Sequence, residues 1–153
     1  MTPEGTTVEV RRRLDAAPQR VFAAFADPGL VSRWLKPAPE VALAVVEFDF
    51  RVGGTYRFRY QVPGRPAMHV TGAFQSIEPP SRLVFSWCIE PPDEHAGLDS
   101  QVTVAIAPAG SGAELVIRHE RLTQAGAAAR HAEGWRGALD RLAALSGQPE
   151  GGT

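Results

Sequence analysis

The sequence predicts an α+β fold: one strand, two short helices, a run of antiparallel strands and a long C-terminal helix. Three observations carry that prediction. The stretch "TTVEVRRRLDA" alternates like a strand and precedes two proline-bounded helical stretches. "VVEFDFRVGGTYRFRYQV" reads as a hairpin. "RHAEGWRGALDRLAAL" spaces its apolar residues as an amphipathic helix does.

A length of 153 residues suits one domain with a sizeable core. Residues 1–147 are read as that domain, and 148–153, "QPEGGT", as a disordered tail. A net charge of −1 argues against general attraction to nucleic acid or to a membrane surface. Cys88 stands alone, so no disulfide forms within the chain. "MTPEGTTVEVRRR" has no apolar signal core and no apolar run reaches membrane-spanning length, so a cytoplasmic protein is expected.

The elements follow in order. In the first strand Val8, Val10 and Leu14 share a face, Glu9, Arg11 and Arg13 take the other, and Arg12 intrudes on the apolar side. Pro18 suits a first helical position, after which Val21, Phe22 and Phe25 share one side. Pro28 ends that helix, and "GLVSRWLKP" supplies a second before Pro37. In the hairpin, a two-residue loop would mix charge and aromatics on both faces. A three-residue loop, Val52 to Gly54, pairs Phe50 with Tyr56, Phe48 with Phe58 and Val46 with Tyr60. It also sets Asp49 against Arg57 and Glu47 against Arg59, so it is the expected register.

Gly72 interrupts the next strand's alternation and predicts a bulge there. Later strands add Leu83, Phe85, Trp87 and Ile89, then Val102, Val104 and Ile106, then Leu115, Ile117 and His119 to the inner face. The last helix is expected to be capped by Thr123 and stopped by Gly147. Its stripe comprises Ala128, His131, Trp135, Ala138, Leu139, Leu142 and Leu145. Gly134 flanks the stripe, allowing close approach or leaving space. Gly137 points nearer solvent, and nothing in the sequence accounts for it.

This order of elements is that of the helix-grip (START/Bet v-like) fold. Five segments sharpen the likeness: "DAAPQRVFAAFADPGLVSRWLKP", "FDFRVGGTYRF", "GAFQSIEPPSRLVFSW", "LVIRHERL" and "HAEGWRGALDRL". In this order, from Val8 to Ser146, they closely resemble one branch of the START-like (SRPBCC) superfamily. That branch is named after the activator of the 90-kDa heat-shock-protein ATPase. The resemblance implies a curved antiparallel sheet wrapped around the long helix, a cavity between them, and a first strand closing the sheet beside the later ones. It implies no reaction, since members without a known reaction share the helix motif. The eukaryotic activator works through an additional N-terminal domain that this chain lacks, which weighs against a chaperone-associated partner.

No established catalytic signature is present. "HE" at His119–Glu120 lacks the second histidine of a zincin, and Ser86 has no glycine elbow. A metal held by His119 and His131 would need a third ligand that the sequence does not offer. No catalytic residue, metal ligand or cofactor is therefore assigned. The candidates to line the cavity are Trp34, Phe48, Phe50, Tyr56, Phe58, Tyr60, Phe85, Trp87, His119, His131 and Trp135, with most rings expected to fill core. The two histidines should each find a hydrogen-bond partner, and Arg12 a carboxylate. "CIEPPDEHAGLDS" is read as a solvated connection.

The function expected is the binding of a small apolar or aromatic molecule, as a carrier or sensor. The alternative is an enzyme resembling the polyketide cyclases and aromatases of the superfamily, with His119, His131 or a tyrosine guiding a proton. Nucleic acid and membranes are not expected partners, and a homodimer is compatible with the chain.

Overall fold

A computed structural model describes residues 7–146. The elements are β1 (Val8–Leu14), α1 (Pro18–Ala26), α2 (Pro28–Trp34), β2 (Ala42–Phe48), β3 (Thr55–Gln61), β4 (Met68–Glu78), β5 (Arg82–Ile89), β6 (Ser100–Ala109), β7 (Gly112–Glu120) and α3 (Ala127–Ser146). The strands form one curved antiparallel sheet in the order β1-β7-β6-β5-β4-β3-β2, which is the helix-grip arrangement. β1 thus joins the sheet beside the last strand, with Val8 opposite His119 and Leu14 opposite Ala113. The expected tail at 148–153 and the stop at Gly147 lie outside the described residues.

Proline and aspartate set the two short helices. Pro18 occupies the first turn of α1, whose buried side is Val21, Phe22, Ala24 and Phe25. Pro28 ends α1 and also opens α2, where the Asp27 carboxylate accepts from the Gly29 N–H at 2.8 Å. Trp34 closes α2 fully buried; its Nε1 donates to the Ala24 carbonyl at 2.9 Å, and its ring meets Phe25 edge-on at 4.8 Å.

The hairpin register differs from the expected one. Phe48 faces Tyr56, Glu47 faces Arg57 and Val45 faces Phe58, with a bulge at Val46. Asp49 to Gly54 forms a six-residue loop instead of three, because the loop pairs with β4. Gly53 N–H donates to the Phe74 carbonyl at 2.8 Å, and Phe74 N–H donates to Gly54 at 2.9 Å. A slip of two residues keeps Phe48 on the apolar face, whereas the bulge reverses the alternation upstream. Leu43 therefore points in, and Val46 is 50% exposed. The expected charge pairs dissolve with the register: Asp49 binds Arg51 at 2.9 Å, and Arg57 binds Glu90 through two bonds of 2.9 and 3.0 Å.

Three glycine and cap expectations are also corrected. The bulge of β4 lies between Phe74 and Ser76, away from Gly72. Gly72 sits directly opposite Tyr56, whose ring lies across it, and a Cβ there would strike that ring and the Ser86 carbonyl. In α3, Gly137 is the close-approach position: the Pro37 carbonyl fills the place of its Cβ, while Gly134 has only ordinary contact with Pro37. Thr123 is four residues from the start of α3 and does not cap it; Gly126, at φ +81°, turns the chain into the helix.

Candidate functional site

The inner sheet face and α3 flank a half-open cavity of about 630 Å³ toward one end of the domain. Its walls are the N-terminal half of α3, the segment from Leu35 to Val41, and the adjoining ends of β3, β4 and β5. Small side chains hold it open. Gly134 and Ala138 face it from the helix, and Pro37 and Ala38 face it from the segment after α2. The Tyr60 hydroxyl donates to the Leu35 carbonyl at 2.9 Å and anchors that segment to β3.

Of the residues expected to line a cavity, four border this one: Tyr60, Trp87, His131 and Trp135. The other seven do not. Trp34 is bound to α1 as described, and Phe58 and Phe85 are packed within the core. Phe48 and Phe50 stack at 5.8 Å, meet Phe74 at 5.5 and 5.0 Å, and are covered by Phe22 at 6.2 Å from Phe50. Tyr56 is buried with its hydroxyl on the Ser86 carbonyl at 2.5 Å, and desolvation pushes its pKa well above the ordinary phenol value. His119 is fully buried behind Trp135 and has no edge on the cavity.

The histidines are held by their partners. Trp135 Nε1 donates to His119 Nδ1 at 3.0 Å, so the His119 proton sits on Nε2 and is donated to Ser100 Oγ at 2.8 Å. Ser100 in turn donates to the Trp87 carbonyl at 2.6 Å. Every group in this chain is satisfied. Burial, with the neighbouring His131 adding to it, lowers the His119 pKa to about 3, so the ring is neutral. His131 stacks edge-on against it at 4.8 Å and donates Nδ1–H to the Ala127 carbonyl at 2.7 Å. Burial lowers its pKa as well. A base with both nitrogens engaged cannot collect a proton from a substrate, which removes His119 from general-base chemistry.

The sequence reading missed the polar latch at the cavity mouth. Arg130 reaches from α3 to Asp93 in the β5–β6 loop with bonds of 2.6 and 2.8 Å, and both residues border the cavity. The same guanidinium donates to His95 Nδ1 at 2.9 Å and to the Met68 sulfur at 3.1 Å. His95, buried, donates its Nε2–H to the Ala125 carbonyl at 3.0 Å. The Arg130 hydrogen bonds hold the Asp93 pKa down to about 2. The loop read as a solvated connection is a pinned wall. Its carboxylate and histidine were visible in "PPDEHA", but no periodicity links them to Arg130. On the opposite side of α3, Arg12 pairs with Asp140 at 2.6 Å. Among the described residues no group of three or more His, Cys, Asp or Glu could hold a metal.

The family model described as Activator of Hsp90 ATPase homolog 1-like protein matches residues 15–147. The chain belongs to that family. Solved structures with the same architecture include a Chromobacterium violaceum protein, 29% identical, with a TM-score of 0.84 over 94% of this chain and 99% of that one. A Rhizobium loti protein is 34% identical, with a TM-score of 0.75 over 90% of this chain and 94% of that one. A 24%-identical Arthrobacter aurescens protein shares the fold, with a TM-score of 0.83 over 98% of this chain and 91% of that one. No curated protein matches the chain. Family membership supports a ligand-binding fold without naming the ligand. No described helix is long and apolar enough to cross a membrane.

Proposed function

We propose that this Activator of Hsp90 ATPase homolog 1-like chain is a carrier or sensor for a small apolar or aromatic molecule held between α3 and the sheet. The observation that supports this most is the cavity itself. Its volume of about 630 Å³ is of ligand size, and its walls are predominantly Leu35, Val41, Ile89, Trp87, Trp135 and similar apolar surfaces. Two of the polar groups around it are held by protein partners, the Tyr60 hydroxyl by Leu35 and Arg130 by Asp93, and Lys36, Arg65 and Glu133 also line it. Such a wall orients a ligand and gives little to a reaction.

Calorimetric titration with a panel of aromatic and polyketide-like compounds tests the reading. Ala38→Phe, on the loop wall, narrows the cavity without touching the helix. Binding by the wild type that weakens at least tenfold in Ala38→Phe is the expected outcome. A panel without any binder overturns it. Turnover of a compound that disappears in His131→Gln would replace it with the enzyme reading, since His131 is the histidine that borders the cavity.

A further inference from the structure

The chemistry of the ligand's polar end can be taken further, on the footing of the carrier reading. Lys36, half-buried in the segment after α2, and Arg65, exposed in the loop between β3 and β4, both border the cavity. Among the described residues neither side chain has a hydrogen-bond or ion-pair partner. Arg130, the third cation of the wall, is committed to Asp93. An unpaired cation on open surface means little, because water solvates it well. Two at the edge of one apolar cavity are a different matter.

Consecutive residues at the end of β3 hold the backbone that carries both cations. The Tyr60 hydroxyl donates to the carbonyl of Leu35, the residue before Lys36, at 2.9 Å. The Gln61 amide donates to the Arg65 carbonyl at 2.7 Å, and the Arg65 N–H closes its turn on the Val62 carbonyl at 3.1 Å. The Lys36 N–H donates to the Trp34 carbonyl at 2.8 Å. That backbone is ordered before a ligand arrives, which lowers the cost of binding. Glu133 of α3 also borders the cavity, and its side chain has no partner among the described residues. With Arg130 and Asp93 neutralising each other, two cations stand against one carboxylate, a surplus of one positive charge. An anion meeting Lys36 and Arg65 keeps part of its hydration, while a hydrocarbon body covers the apolar walls. The guanidinium fork of Arg65 matches a carboxylate in shape.

We infer that the ligand is an amphipathic monoanion, with an aromatic or other apolar body in the cavity and one carboxylate engaged by Lys36 and Arg65. The probes are 2-naphthoate and its neutral isostere 2-naphthamide, titrated calorimetrically into the wild type, Lys36→Gln, Arg65→Gln and Glu133→Gln. The wild type is expected to bind the naphthoate about fivefold more tightly than the amide, the worth of two water-exposed charge contacts. That advantage shrinks as the salt is raised from about 0.05 to about 0.5 M, a measurement that needs no variant. Lys36→Gln and Arg65→Gln should each weaken the naphthoate about twofold to threefold and leave the amide unchanged. Glu133→Gln removes the opposing charge and should tighten the naphthoate alone. Equal affinity for the two probes at low salt, or equal losses of both in Lys36→Gln and Arg65→Gln, overturns this inference and leaves the carrier reading standing. Binding of neither probe counts against the carrier reading, and the inference falls with it.

Discussion

Phe48 and Phe50 at one end of the sheet, and Tyr60 and Trp87 at the other, are large rings presented toward the interior. At the first end Phe22 of α1 covers Phe50 at 6.2 Å, and Phe74 wedges against both phenylalanines. That end is solid. At the second, Trp87 meets Trp135 at 6.0 Å, but the neighbouring positions on the covering elements are Gly134, Ala138, Pro37 and Ala38, and space remains. Whether a ring fills core or faces a cavity is decided by the residue opposite it. An aromatic lining is equally compatible with both outcomes.

The comparison can be broken most sharply at Trp135, which is 4% exposed and stands against Trp87 and His119 at the cavity end. Trp135→Ala should cost about 3–5 kcal/mol of stability, measured by urea denaturation, as it empties the helix–sheet contact and unpairs His119. A change under about 1 kcal/mol would mean that the cavity end contributes little to the fold. Phe74→Ala, in the solid end, should destabilise by a similar amount without touching the cavity.

Acid comes next. The His119 pKa falls from an ordinary 6.5 to about 3 on folding, chiefly through burial, so below pH 6.5 the unfolded chain takes up a proton that the native ring refuses. Stability is complete above that pH and falls as the pH drops toward 3, by about 3 kcal/mol at pH 4 from this group alone. His131, lowered in the same sense, adds to the loss. Asp93 enters later: its pKa, held at about 2 by Arg130, makes a further contribution that is lost as the pH falls from about 4 through 2. Urea midpoints at pH 7.5, 5.5 and 4 follow the first phase. Flat stability over that range would contradict the neutral, buried His119.

The latch should show a smaller effect. Arg130→Gln leaves Asp93, with a side chain 17% exposed, without its bidentate partner and should cost about 1–2 kcal/mol after allowance for solvent at the mouth. Limited proteolysis should then cut first between β5 and β6. Unchanged resistance there would mean that the loop is held without Arg130. The smallest effects separate the two helix glycines by sign. Gly137→Ala forces a methyl into the Pro37 carbonyl and should cost about 1–2 kcal/mol, whereas Gly134→Ala meets only ordinary contact and should gain up to about 1 kcal/mol. Equal responses in thermal denaturation would remove the distinction.

Much of the fold was legible because strands and helices write their periods locally. The inward sets of β5, β6 and β7 and the stripe on α3 agree with simple alternation and helical spacing. The hairpin failed at one step: alternation fixes which side chains share a face, yet a slip of two residues leaves that face unchanged. Only the bonds between the loop and Phe74 select the six-residue turn. The site was legible in part. Tyr60, Trp87, His131 and Trp135 carried their inward signal in the sequence. Arg130, Asp93 and His95 had none, because they meet across the fold from elements with no common period.

By itself, the sequence determined the element order, the family, the inner faces of the later strands and the buried stripe of the last helix, all consequences of local spacing and turn chemistry. Tertiary structure alone decided which glycine receives the Pro37 carbonyl, which rings Phe22 covers, and that the Trp87 N–H has no partner among the described residues. The physical reason is that empty space and unmet hydrogen bonds belong to pairs of surfaces. The second surface is brought into place only when the chain folds.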